Sequence, residues 1–162
     1  MKNLVLIRHA KSSWDGPLVD RDRPLANRGV QDAHLVAATI HNYLPKNNLV
    51  WSSVAKRAAD TAIIFAQNLL WPVESIVFKE ELYTFDENQL ATIIKNCSDD
   101  YENVILFGHN DAITKFVNKF GDAYVENVPT SGFVTMSFDT PQWALITKGK
   151  TVKMIFPRDL KI

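Results

Sequence analysis

The chain has 162 residues, 46% hydrophobic and 22% charged, with 6 Gly and 7 Pro. This is the make-up of one folded domain with a core of its own, and it excludes disorder, collagen-like repeats and low complexity. Lys plus Arg (18) equals Asp plus Glu (18), so no long-range field draws nucleic acid or an anionic membrane, and basic residues that matter must gather in one pocket.

Leu4-Val5-Leu6-Ile7 is a continuous apolar run, the pattern of a strand buried on both faces of a parallel sheet. It is too short for a signal peptide, and nothing later approaches the ~20 apolar residues of a membrane span. Arg8 to Arg28 is polar and aperiodic, with Pro17 and Pro24; a loop of that length in a compact domain is usually functional. Ala33, Ala37, Ile40 and Leu44 predict a helix from Val30 to Leu44, closed by Pro45. Leu49 to Ser53 reads as a second strand. Ala58, Ala62, Ile63, Ala66 and Leu69 mark one face of a second helix, which Pro72 ends.

Strand character returns at Ser75 to Phe78, and Leu90, Ile93, Ile94 and Cys97 set a short amphipathic helix. Val104 to Phe107 is another buried strand, followed by Gly108-His109-Asn110. Ala112, Ile113, Phe116, Val117 and Phe120 make a helix that Gly121 stops. Phe133 to Phe138 and Val152 to Phe156 alternate, with Lys148-Gly149-Lys150 as a short connection between them, which predicts an antiparallel pair at the sheet edge. The order is that of an α/β protein: a three-layer α/β/α sandwich on a mostly parallel mixed sheet with an antiparallel edge strand, one domain over residues 1–162. The single cysteine, on an apolar helix face, fits core packing and a reducing compartment, so a cytoplasmic location is expected.

In open α/β sheets the ligand site lies beyond the carboxyl ends of the strands. The first strand delivers Arg8 and His9 there, the second Ser52-Ser53 and, one turn on, Arg57, and the fourth His109. Two arginines and two histidines at one end of one sheet suit a compact, multiply charged anion, so phosphate or sulfate is the expected occupant. The strand exits supply no carboxylate set for Mg²⁺, and no GxxxxGK[ST] loop is present, so neither a metal nor another cofactor is expected. His34 and His41 are two helical turns apart, about 10 Å by helix rise, and read as helix-face residues.

The run Arg8-His9-Ala10-Lys11-Ser12-Ser13-Trp14-Asp15 resembles the Arg-His-Gly signature of the histidine phosphatase superfamily, which includes the phosphoglycerate mutases. With Asp22-Arg23-Pro24-Leu25, Arg28-Gly29, Ser52-Ser53-Val54-Ala55-Lys56-Arg57-Ala58, Gly108-His109-Asn110 and Pro157-Arg158-Asp159-Leu160, the chain is similar along its length to the SixA-type phosphohistidine phosphatase branch. The resemblance implies a phosphoglycerate mutase-like fold and a metal-independent hydrolase in which His9 takes the phosphoryl group. It gives Arg8, Arg57, His109 and Arg23 the phosphoryl oxygens. Ala10 stands where the superfamily has glycine, which argues against a left-handed backbone there. Asp15 stands where many phosphoglycerate mutase-like members have Asn.

A neutral His9 can attack phosphorus while its other ring nitrogen donates to a backbone carbonyl, and the arginines with a protonated His109 neutralise the phosphoryl oxygens. Glu81, just after the third strand where the superfamily's acidic residue falls, is the candidate proton donor; read as a residue alone, it is equally a solvated charge at a strand end. Asp20 and Asp22 beside Arg23 read as loop or salt-bridge residues, and Trp14 as an anchor of the loop. Between Leu82 and Val104 there is room for one short helix and no lid, so an open groove is expected. The expected partner is a signalling or phosphocarrier protein bearing phosphohistidine. A small-molecule phosphomonoesterase or mutase of the same superfamily is the competing reading, and a non-catalytic phospho-residue binding module the third.

Overall fold

Leu4 to Ile7 are buried because the strand they form, β1 (Lys2–Arg8), lies inside a six-stranded sheet. The computed structural model describes residues 1–161. The other strands are β2 (Leu49–Ser53), β3 (Ile76–Lys79), β4 (Asn103–Gly108), β5 (Phe133–Phe138) and β6 (Lys150–Ile155), in the spatial order β3-β2-β4-β1-β5-β6. The first four strands in that order pair in parallel, and β5 runs antiparallel to both of its neighbours.

Side chains alternate across a strand, so each face of the sheet takes every second residue. Leu4 and Leu6 pack with Leu90, Ile94, Ile113 and Phe116, from α3 (Glu87–Lys95) and α4 (Ala112–Phe120). Val5 and Ile7 pack on the opposite face with Ala33, Val36 and Phe65, from α1 (Asn27–Thr39) and α2 (Lys56–Leu69). This is the expected three-layer sandwich, and each large side chain buried in it contributes about 1.5–3 kcal/mol.

Some boundaries differ from the periodicity. The first helix starts at Asn27 and tightens after Thr39 into a 3-10 turn over Ile40–Tyr43. The third begins at Glu87, where the Asp86 side chain accepts from the Gln89 N–H, and ends at Lys95, so Cys97 is buried just beyond it. β5 is buried on both faces by the two packing layers and is not the edge; β6 outflanks it and keeps Lys150 and Lys153 exposed, which blunts edge pairing. The expected short link between these strands is a long loop with a 3-10 turn at Trp143–Leu145, pinned by the Trp143 indole N–H on the Tyr101 carbonyl at 2.7 Å. A last helix, α5 (Pro157–Leu160), packs on α1. Among the described residues no helix is long and apolar enough to cross a membrane.

Candidate active site

The parallel register sets Arg8 opposite Gly108, so the residues that follow, His9 and His109, leave the sheet side by side. The His9 N–H donates to the Gly108 carbonyl at 3.0 Å, and the two imidazole centroids are 5.2 Å apart. Ser53 ends β2, the other neighbour of β4, and its Oγ is 2.8 Å from His109 Nε2. Arg57 is in the first turn of α2, whose start has no side-chain cap, so the positive end of that helix also faces this region.

The long loop after His9 is folded back on itself by a bridge between Ser12 and Leu25. The Ala26 N–H donates to the Lys11 carbonyl and the Ser13 N–H to the Pro24 carbonyl. This brings the charge of Arg23 within reach of His9 and lays α1 across the loop at Gly29, where a Cβ would fall 2.1 Å from the Lys11 carbonyl oxygen. Ala10 has no positive φ; its N–H donates to Thr61 Oγ1 at 2.9 Å, so no left-handed residue is needed there.

His9 is only 8% exposed and its Nδ1–H donates to the Ala10 carbonyl at 2.7 Å, which leaves the lone pair on Nε2. Burial, followed by the charges of Arg57, Arg8 and Arg23, lowers its pKa to about 4 against the Ala10 bond that raises it. The ring is therefore neutral and nucleophilic at neutral pH. His109 departs from expectation. Burial, then His9 and the Arg57 and Arg8 charges, push it down to about 2, so the free site holds a neutral imidazole where a protonated one was expected. Ser53 Oγ accepts from the Ala55 N–H at 3.2 Å and is assigned as donor to His109 Nε2; the proton is then on Nδ1.

Among the described residues, the buried side-chain donors without a partner are Arg8 Nε, Arg57 Nε, His109 Nδ1 and Ser131 Oγ. Orphaned buried polar atoms are rare and call for a physical reason. The first three belong to residues at the carboxyl end of the sheet, on β1, at the start of α2 and just beyond β4, where a tetrahedral oxyanion would supply acceptors. Arg8 is held for this by its Nη1 on the Val128 carbonyl at 3.0 Å, and Asn110 Nδ2 donates to the same carbonyl. Arg23 differs from the other two arginines. Its Nε and Nη2 donate to Asp20 Oδ1 and its Nη1 to Ser12 Oγ and the Ser13 carbonyl, while Trp14 covers the guanidinium at 3.5 Å.

Asp20 also accepts from Arg57 Nη2 at 3.0 Å and from the Tyr83 hydroxyl. The Tyr83 hydrogen bond first, with Arg57 and Arg23, holds its carboxyl down at about 2. Asp22 is exposed. Glu81 is not brought into the cluster: it is exposed and lines a surface groove with Asn88, Gln89, Thr92 and Ile93. Trp14 is 78% exposed and stacks on Arg23 as a loop anchor. His34 bonds Asn68 from α1, and His41 is exposed in the turn after it. Ser53 was legible only as a strand-exit residue. Tyr83 and Phe85, whose rings stand 5.3 and 5.4 Å from His109, had no sequence signal. Among the described residues no three His, Cys, Asp or Glu side chains gather to hold a metal.

A sheet that presents two buried imidazoles and convergent arginines at its carboxyl end defines an oxyanion-handling α/β protein. The chain belongs to the histidine phosphatase superfamily (branch 1), whose family model matches residues 4–103. Membership implies a phosphatase or mutase with a histidine nucleophile. An uncharacterized protein of Mycobacterium tuberculosis is 28% identical over 88% of this chain and 93% of its own length. Among solved structures, the protein histidine phosphatase SixA complexed with tungstate matches with a TM-score of 0.83 at 19% identity, over 98% of this chain and 99% of that one. A phosphoserine phosphatase of Entamoeba histolytica, in complex with 3-phosphoglyceric acid, matches with a TM-score of 0.64 at 16% identity, over 95% of this chain and 96% of that one. The phosphoglycerate mutase-like fold is thus shared with the SixA-type structures.

Proposed function

We propose that this chain is a metal-independent phosphohistidine phosphatase that takes a phosphoryl group from a protein histidine onto His9 and releases it to water. His9 Nε2 attacks phosphorus as the P–N bond to the substrate imidazole breaks; the substrate ring carries a proton on its other nitrogen and so leaves as neutral imidazole. Arg8 Nε, Arg57 Nε and His109 Nδ1 receive the equatorial oxygens. Water then attacks phospho-His9, which regenerates the imidazole and releases orthophosphate.

The observation that carries the substrate class is the state of Asp20, the carboxylate bonded into the cluster. Pinned by Arg23, Arg57 and Tyr83, it is ionised and has no proton to give a departing alkoxide. A phosphohistidine protonated on its other ring nitrogen, which titrates near neutrality, leaves as neutral imidazole and needs no such donor. The link from β3 to β4, whose single α-helix α3 is packed on α4, supports an open approach wide enough for a protein-borne residue. The likeness to the protein histidine phosphatase SixA supports the same reading. The lone buried Cys97 fits a reducing, cytoplasmic setting.

The test is a dephosphorylation screen in EDTA with a phosphohistidine protein, phosphosugars and an aryl phosphate. The expected result is kcat/KM at least roughly a hundredfold higher on phosphohistidine, the low end of what proton donation is worth to a poor leaving group. Equal or faster turnover of phosphosugars would replace this reading with a small-molecule phosphomonoesterase. A requirement for Mg²⁺ or Zn²⁺ would remove the metal-independent mechanism.

A further inference from the structure

Asp20 has a position that the catalytic scheme does not use. Its Oδ1 takes both Nε and Nη2 of Arg23, at 3.3 and 3.1 Å, and its Oδ2 takes Arg57 Nη2 at 3.0 Å. These are the planar donor edges with which guanidinium groups grip phosphate. The carboxylate therefore occupies, on one arginine fully and on another in part, the place of an oxyanion.

We propose that Asp20 is a built-in counter-anion: it fills the Arg23 fork in the free protein, opposes an arriving phosphoryl group, and so weakens the hold on product orthophosphate. This rests on reading the cluster as the phosphoryl site. Two further observations separate the role from simple positioning of the arginines. Neither arginine depends on the carboxylate for its place. Arg57 Nη1 donates to the Asp20 main-chain carbonyl at 2.8 Å, and Arg23 is held by Ser12, Ser13 and the face of Trp14. The exposures also differ: the Asp20 side chain is 45% exposed, against 3% for Arg57 and 9% for Arg23, so Asp20 is the partner free to swing into water.

Entry then proceeds in a physical order. The anion first meets the positive charge of Arg8 and Arg57 beside the histidines, with Asp20 still in place. Two negative groups now share Arg57, and the exposed one leaves Arg23. When orthophosphate is the ligand, the return of Asp20 helps expel it, which suits an enzyme that must not retain its product.

The experiment is titration of the protein with inorganic phosphate by calorimetry, with Ki for phosphate from competition as a second readout. Asp20→Asn keeps the shape and removes the charge. It should bind phosphate about fivefold to tenfold more tightly, a modest factor because the carboxylate is partly solvated and screened. Tyr83→Phe, which removes one bond holding Asp20 inward, should tighten phosphate in the same direction but less. The gain from Asp20→Asn should shrink in an Arg23→Ala background. Unchanged or weaker phosphate binding by Asp20→Asn would overturn the proposal in favour of a positioning role, and an undiminished gain without Arg23 would overturn the account of the fork. If neither the unaltered protein nor Asp20→Asn binds phosphate, the functional reading fails and the inference with it.

Discussion

Ser53 Oγ lies 2.8 Å from His109 Nε2 and joins β2 to the residue that leaves β4. With the Ser53 hydroxyl assigned as donor to Nε2, the ring proton of His109 is on Nδ1, an atom that has no partner in the free protein. Ser53→Ala removes this control and leaves Nε2 buried without a partner. One neutral hydrogen bond contributes about 1 kcal/mol, so kcat/KM should fall roughly fivefold to tenfold. Steady-state kinetics read the effect; activity unchanged within twofold would show that His109 is oriented by its packing alone.

His9→Ala should abolish turnover with the fold retained, since the ring is used at a strand exit and not in either core layer. Quenching without acid should trap phosphate on His9 of the unaltered protein and none on the variant. Residual turnover within tenfold of the parent would refute the nucleophile.

Arg57→Ala and Glu81→Gln should diverge. Arg57 reaches the cluster with a free Nε, and its loss should lower kcat/KM by roughly 10²–10³ on phosphohistidine and aryl phosphate alike, as removal of one oxyanion donor does. Glu81 is exposed in a groove outside the cluster, so Glu81→Gln should leave phosphohistidine hydrolysis within about twofold. A hundredfold loss would put Glu81 in the proton path.

Stability should fall on acidification before the carboxylates titrate. His9 and His109 have pKa values lowered to about 4 and about 2, from 6.5 when unfolded. Between these values the unfolded chain binds more protons, so the stability present above pH 6.5 is lost as pH falls toward 4 and below. Thermal melts at pH 7.5 and 5.0 should show a lower Tm at the acid value, and a His9→Gln, His109→Gln double variant should lose most of that dependence. An equal Tm shift in the double variant would assign the effect elsewhere.

Gly29→Ala reverses the ordinary helix rule. In a helix, alanine is favoured over glycine by about 1 kcal/mol. Here the added Cβ would fall 2.1 Å from the Lys11 carbonyl oxygen, a backbone atom that cannot turn aside. Overpacking of this kind costs about 1–3 kcal/mol, so net destabilisation and displacement of the loop carrying Arg23 are expected. Chemical denaturation measures the first and phosphate affinity the second; a gain in stability would show that α1 is not held against the loop.

The sequence by itself determined the layers and the main positions of the candidate site. Continuous apolar runs at Leu4 to Ile7 and Val104 to Phe107 have one low-energy place, buried on both faces of a parallel sheet, and strand exits are local, so Arg8, His9 and His109 could be placed from the pattern alone. Tertiary structure decided what no periodicity encodes: which strand flanks which, and what long side chains find across a gap. The insertion of β4 between β1 and β2 sets His109 between His9 and Ser53. Only the folded loop puts the Asp20 carboxylate on Arg23 and Arg57, and leaves Glu81 outside on the surface. Burial then overrode the expected charge on His109, because desolvation and neighbouring cations act through space and depend on distances that the sequence does not contain.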